Sequence, residues 1–357
     1  MSEWIIKPSY KLDLACFCNL FTEDQLMIDR HQDAYGKFID RMRIRPDFFD
    51  FAKSLQQQGI LIGGATASLL SLTDEDSFVI SRICEILDSV ALRPLVLDYL
   101  DENGLSSEAP KIIETILPVL SDMLHFIHES GFLAYWIDEC QPLIQQKCDL
   151  FSKQAAAYPV VSKVNQLLGF KSVNADQVSL FLCSLSAPYG IGLKNAFISD
   201  IRWQFKITAA VAVHELIHPP FSRLRIKEIT EILWEDDFLK EAKSRLPVSS
   251  GYHLPEQFVE ENLVEGTHIF LSEEMGIEEN PLKYLIEHDH ASHVLSVILY
   301  DALKQGYRDR TATIEETINL LMSEGKLIPG HIRNSYMSIY KKAGLQDMVP
   351  FQSKTGG

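Results

Sequence analysis

Cationic side chains are scarce in this chain. Lys and Arg number 33 against 49 Asp and Glu, which leaves a net charge of −16. A phosphate-backbone partner needs basic surface, so this deficit argues against nucleic acid. No run of like charges is long enough to form a tail, and the acidity reads as a device for solubility. Long apolar runs are also missing. A membrane-spanning helix needs about 20 predominantly apolar residues in a row, and no run here reaches that, so no membrane partner is expected. The opening Met1-Ser2-Glu3-Trp4-Ile5-Ile6-Lys7-Pro8 has neither a basic segment nor a long apolar one, and no signal peptide is expected from it. The six cysteines, at 16, 18, 84, 140, 148 and 183, make no CxxC pair and no secreted-type framework. Free core cysteines in a reducing cytoplasm are the expectation. There is no internal repeat and no low-complexity segment.

What is present is a chain of 357 residues, 46% hydrophobic, long enough for two or three core units. Residues 9–18 alternate weakly and suggest a strand, which would turn Cys16 and Cys18 to one side. Helical spacing runs from the cap signal Thr22-Glu23-Asp24 to about residue 57, and Gly63-Gly64 reads as a chain break. Helical patterns resume over 76–102 and 109–130, punctuated by Asn103-Gly104 and Ala109-Pro110. They continue over 131–169 with a break at Tyr158-Pro159. The pattern changes at 178. Residues 178–185 and 195–201 are strand-like around a turn at 188–192, which predicts a hairpin or two-strand edge. Helices are expected again over 207–218, 223–245, 255–274, 281–306, 314–325 and 330–344. The fold class expected is α+β, predominantly α-helical. A small edge sheet precedes the two helices that carry the candidate chemistry. The division expected is a helical region over 1–170, a catalytic region over 171–350 and a disordered tail over 351–357.

The chemistry starts at His214-Glu215-Leu216-Ile217-His218, an HExxH pentapeptide closing the apolar run Ile207–Val213. On a helix, positions i and i+4 share a face, so His214 and His218 can aim two imidazoles at one zinc ion. Glu215 then sits beside the metal, placed to take a proton from the attacking water. The apolar frame carries three ionisable groups inward together, which is costly unless they are paired or metal-bound. The competing reading is an amphipathic helix with both histidines facing solvent. Pro219-Pro220 should end the helix.

A catalytic zinc takes three protein ligands and leaves one position open. The third is sought in Phe258–His268, where acids sit in an apolar helical frame. Glu261 and Glu265 are four apart on one face, so one can bind the metal while the other holds a ligand histidine. In HExxH followed by this glutamate helix, the chain resembles the gluzincin metallopeptidases, the group of thermolysin and aminopeptidase N. It is also similar, in Val-Glu-Glu-Asn-Leu-Val, to uncharacterised bacterial HExxH families. The resemblance covers roughly residues 178–300. The thermolysin-like pattern places the ligand at Glu261 with Glu265 behind it. The aminopeptidase pattern would place it at Glu265-Gly266, and Glu261 is the preferred reading. No Gly-x-Met-Glu-Asn segment precedes the motif, which argues against removal of N-terminal amino acids. No third His follows at the metzincin spacing.

The function implied is zinc-dependent hydrolysis, with a peptide or small amide as substrate and Glu215 as general base. A donor is needed for the developing oxyanion. Candidates are Tyr189, Tyr252, His253 and the cluster His288-Asp289-His290-x-x-His293, with His290 and Tyr189 preferred. His125 and His128 lack an acid or cysteine nearby and read as core-edge histidines. The alternatives are a non-peptidase zinc enzyme acting on a small amide or ester, and a zinc-containing binding protein without activity.

Overall fold

A computed structural model describes residues 3–73, 76–102, 105–168, 177–193, 196–218, 223–246, 254–288, 291–306 and 314–351. The protein is predominantly helical, with one four-stranded mixed sheet, as expected of its α+β class. It divides into two compact units, one of residues 2–156 and 178–208, the other of 157–177 and 209–357. Among the described residues no helix is long and apolar enough to cross a membrane.

The first unit is built on strands β1 (Trp4–Pro8), β2 (Val178–Cys183), β3 (Ile191–Leu193) and β4 (Ala196–Asp200), in the order β1-β2-β4-β3. β1 pairs parallel with β2, Trp4 opposite Val178, and β2 parallel with β4, Cys183 opposite Asp200. Only β3 and β4 are antiparallel. The expected strands near 178 and 196 are thus parallel neighbours, Val178–Cys183 beside Ala196–Asp200, rather than the two arms of a hairpin. β2 buries Val178, Leu180 and Leu182, the period-two pattern of a strand that packs one face on a core.

Residues 9–18 are not a strand. Tyr10–Phe17 is a helix, started by Ser9, whose hydroxyl accepts from the Leu12 amide at 3.3 Å. All eight of its residues are buried, so every face is apolar or internally bonded and no helical stripe shows in the sequence. Its Asp13 accepts from Trp136 Nε1 at 2.8 Å and from the Leu185 amide at 2.9 Å. Gly63-Gly64 does not break the chain either, for both lie inside the helix Ile62–Leu70. A Cβ on Gly63 would stand 2.5 Å from Asn19 Nδ2. The bare glycine lets the helix lie against Asn19, whose Oδ1 accepts from the Gly63 amide at 2.8 Å. Ala109 to Gln154 is helical with π turns at Ile112–Ile116, His128–Phe132 and Trp136–Cys140, and it is kinked within the second of these, where Gly131 takes a left-handed φ of 91°. The first and last of these precede Pro118 and Pro142, whose missing amides free a carbonyl one turn back. The run from about 22 to 57 is three helices, Gln25–Arg30, Gln32–Met42 and Pro46–Gln57, the first capped by Asp24.

The second unit is helical. Phe205–Ile217, here called the motif helix, enters it at residue 209. Residues 223–245 form two helices, Arg223–Leu233 and Asp237–Lys243, because Asp236 caps the second through the Leu239 amide at 3.0 Å. At the centre is Pro255–Glu274, the acidic helix, opened by proline at its first position. From Phe258 to Ser272 only Glu260 is not buried. It packs on Val294–Gly306. Gly266 makes that approach possible, since a Cβ there would lie 2.8 Å from the Ser296 carbonyl oxygen.

Candidate metal centre

The motif helix ends at Ile217, so His214 stands in its last turn and His218 is the first residue beyond it. Their side chains are 19% and 33% exposed. The acidic helix supplies the facing groups. His214 Nε2 lies 3.1 Å from His218 Nε2 and 3.2 Å from Glu261 Oε1, and His218 Nε2 lies 3.6 Å from Glu261 Oε2. Two imidazole nitrogens and one carboxylate thus converge on a single point.

Each outer nitrogen has a carboxylate behind it. His214 Nδ1 is 3.4 Å from Glu265 Oε2, and His218 Nδ1 is 3.7 Å from Glu260 Oε1. A histidine that gives its Nδ1 proton to a carboxylate presents its Nε2 lone pair on the opposite edge. Both rings are turned so that this edge faces the convergence point. Glu265 Oε2 also receives His268 Nδ1, at 3.0 Å.

Electrostatics follow from burial and proximity. Burial alone would lower the pKa of His214, but the Glu261 and Glu265 carboxylates beside it outweigh that and raise it well above the ordinary histidine value. Burial would likewise raise Glu261, but the bond and charge of His214, with His218 and His293 adding, bring it down to about 2. Glu265 is held well below the usual carboxylate range, because His268 and His214 more than offset its burial. Negative carboxylates are thus maintained inside the unit by the imidazoles around them.

The residue types fit zinc. Tetrahedral zinc bonds of about 2.0–2.1 Å place ligand atoms about 3.3 Å apart; here the two Nε2 atoms are 3.1 Å apart, and His214 and His218 lie 3.2 and 3.6 Å from one and the other oxygen of Glu261. Nitrogen and oxygen donors in this mixture suit a borderline cation better than calcium or magnesium, which prefer all-oxygen cages.

Of the residues expected from sequence, the structure brings together His214, His218, Glu261 and Glu265 within the helical unit. Glu215 is half-buried on the motif helix between the two histidines in sequence. Tyr189 lies in the sheet-bearing unit, in the turn between β2 and β3, 37% exposed. Tyr252, His253, Asp289 and His290 lie outside the described residues. His288 stacks on Tyr284, with ring centroids 3.7 Å apart. His128 accepts or donates at 2.8 Å to the Tyr10 hydroxyl.

One further imidazole, His268, emerges, and His293 of the expected cluster finds its place. His268 is bonded to Glu265, and the buried His293 adds its charge to those that hold Glu261 ionised. His293 immediately precedes Val294–Gly306, whose Leu295 amide donates to Asn262 Oδ1 at 3.0 Å while Ser296 Oγ donates to the Asn262 carbonyl at 2.7 Å. Asn262, next to Glu261, thereby fixes the backbone beside His293. The signal for His268 was its i+3 spacing from Glu265 within a buried helix. No protein-family model, no curated protein and no solved structure matches the chain, so its function is read from this cluster.

Proposed function

We propose that this chain is a zinc-dependent hydrolase, a metallopeptidase of the gluzincin type acting on peptide or small amide substrates. The observation that carries the reading is the convergence of two imidazole nitrogens 3.1 Å apart on the Glu261 carboxylate, His214 Nε2 3.2 Å from one oxygen and His218 Nε2 3.6 Å from the other, with a carboxylate behind each imidazole. When bound there, zinc supplies Lewis-acid polarisation of a carbonyl and of a water at neutral pH. His214, His218 and Glu261 hold the ion and leave a fourth position open. Glu265 orients the His214 imidazole, and the Glu260 carboxylate lies 3.7 Å behind that of His218. Glu215 takes the proton of the attacking water and passes it to the leaving amine. His293, whose charge acts on Glu261, is a candidate donor to the developing oxyanion, together with His290. Six buried free cysteines suit a chain that works in a reducing cytoplasm.

The test combines metal content with turnover. The purified protein should contain about one equivalent of zinc and cleave members of a mixed peptide library. Glu215→Gln should keep the zinc and lose turnover by at least about 10²–10⁴, in kcat rather than KM. Zinc-loaded E215Q with near-normal cleavage would sink the hydrolase reading. Zinc with no cleavage of peptides, amides or esters in the wild type would instead support an inert metal-containing binding protein.

A further inference from the structure

We infer that His268 is a positioning residue of this centre: it holds the Glu265 carboxylate in the one orientation that receives His214. The inference rests on the zinc reading above. Glu265 Oε2 takes two imidazole donors, His268 Nδ1 at 3.0 Å and His214 Nδ1 at 3.4 Å. The shorter contact is the local one. Glu265 and His268 are three apart on the same helix, so their side chains meet on one face whatever the motif helix does. The oxygen is thus placed from within the acidic helix, and His214 comes to it. A buried carboxylate held by only one long contact can turn about its last side-chain torsion, a broad and soft one. His268 removes that freedom.

The orphaned nitrogen argues the same way. His268 is 7% exposed, and its Nε2 is buried without a hydrogen-bond partner among the described residues. Burying an unsatisfied polar atom is unfavourable. A phenylalanine would fill this space without that penalty. What phenylalanine cannot do is donate from the Nδ1 position, and that donation is what the imidazole adds here.

The test uses the full chain, with zinc affinity read by competition against a chromophoric chelator. His268→Phe keeps the ring and removes the donor. His268→Asn keeps a donor at the position of Nδ1. H268F should weaken zinc binding by about tenfold, the low end for an outer partner of a ligand, and H268N should recover most of it. Metal-free H268F should unfold at a lower temperature than the wild type, because the buried Glu265 carboxylate loses its nearer imidazole, and H268N should restore part of that loss as well. His268→Leu serves the same comparison if H268F does not fold. Equal zinc affinity in H268F and wild type would overturn the inference alone, as would equal losses in H268F and H268N. Uptake of two equivalents by the wild type, with H268F retaining one, would overturn it by making His268 a metal ligand. A wild type that takes up no zinc would overturn the zinc reading and the inference with it.

Discussion

Glu261 and Glu265 stand one turn apart on one helix face, yet they meet opposite edges of the same ring. Glu261 faces Nε2 of His214 and of His218, whereas Glu265 faces Nδ1 of His214. Their replacements should therefore differ in size. Glu265→Gln removes a charged partner of a ligand, a loss of about 10–100-fold in metal affinity, and Glu261→Gln removes a donor outright and should lose more. Competition titrations would check the order, and a reversed order would make Glu265 the ligand. At this scale the pairing of His214 with His218 was legible, because i, i+4 spacing on a helix is geometry in itself. The sequence left Glu261 and Glu265 open, because both occupy one face and only the orientation of the facing ring separates them. Glu260 behind His218, and His268 behind Glu265, were not assigned roles. Nothing in spacing tells which nitrogen of a histidine a carboxylate meets.

The acidic helix and its neighbour are set by Gly266, where a Cβ would come within 2.8 Å of the Ser296 carbonyl oxygen and 2.9 Å of its Cα. Both are backbone atoms and cannot rotate away. In an open helix, Gly→Ala would gain about 0.8–1.0 kcal/mol. Here Gly266→Ala should instead cost about 1–3 kcal/mol, the usual penalty for overpacking, as read by urea unfolding. A neutral or stabilising result would mean the two helices part freely. This position also shows what the Glu265-Gly266 pair is for: the glycine serves helix packing. Pro255–Glu274, with its proline start, was legible to the residue. The failures have physical causes. The helix Tyr10–Phe17 is buried all round and shows no stripe. Gly63 sits in a helix because Asn19 needs the room. Asp236 splits a charged run by capping, a role its sequence context shares with many solvated acids.

Across the molecule, the sheet-bearing unit contains two buried groups that answer acid in opposite directions. His31 is lowered to about 4 by burial and by Arg202. Arg202 Nη2 donates to its Nδ1 at 3.3 Å, and its Nε2 donates to the Ser186 carbonyl at 3.0 Å, a neutral tautomer fixed at both ends. Its contribution is present above its unfolded value of about 6.5 and is lost as pH falls towards 4. Asp13 is raised to about 6 by burial. Its contribution is complete below about 3.9 and is lost as pH rises through 6, so acidification favours the fold through this residue. His31→Gln removes only the first response. Its melting temperature relative to wild type should rise between pH 7 and pH 4.5, and a difference that stays constant with pH would contradict the assignment. The parallel register of this unit was not legible, because β1 pairs with residues far along the chain and pairing partners leave no local mark. That register has a consequence for synthesis. Trp4 pairs with Val178, 178 − 4 = 174 residues later. At about 5–20 residues per second, β1 waits about 10–35 s after it is made before its neighbour exists. During that interval its Trp4 and Ile6 flank an unpaired edge, the kind of template on which nascent chains join one another. Production of this protein should accordingly be limited by what shields that edge early, rather than by the helices that complete the centre later.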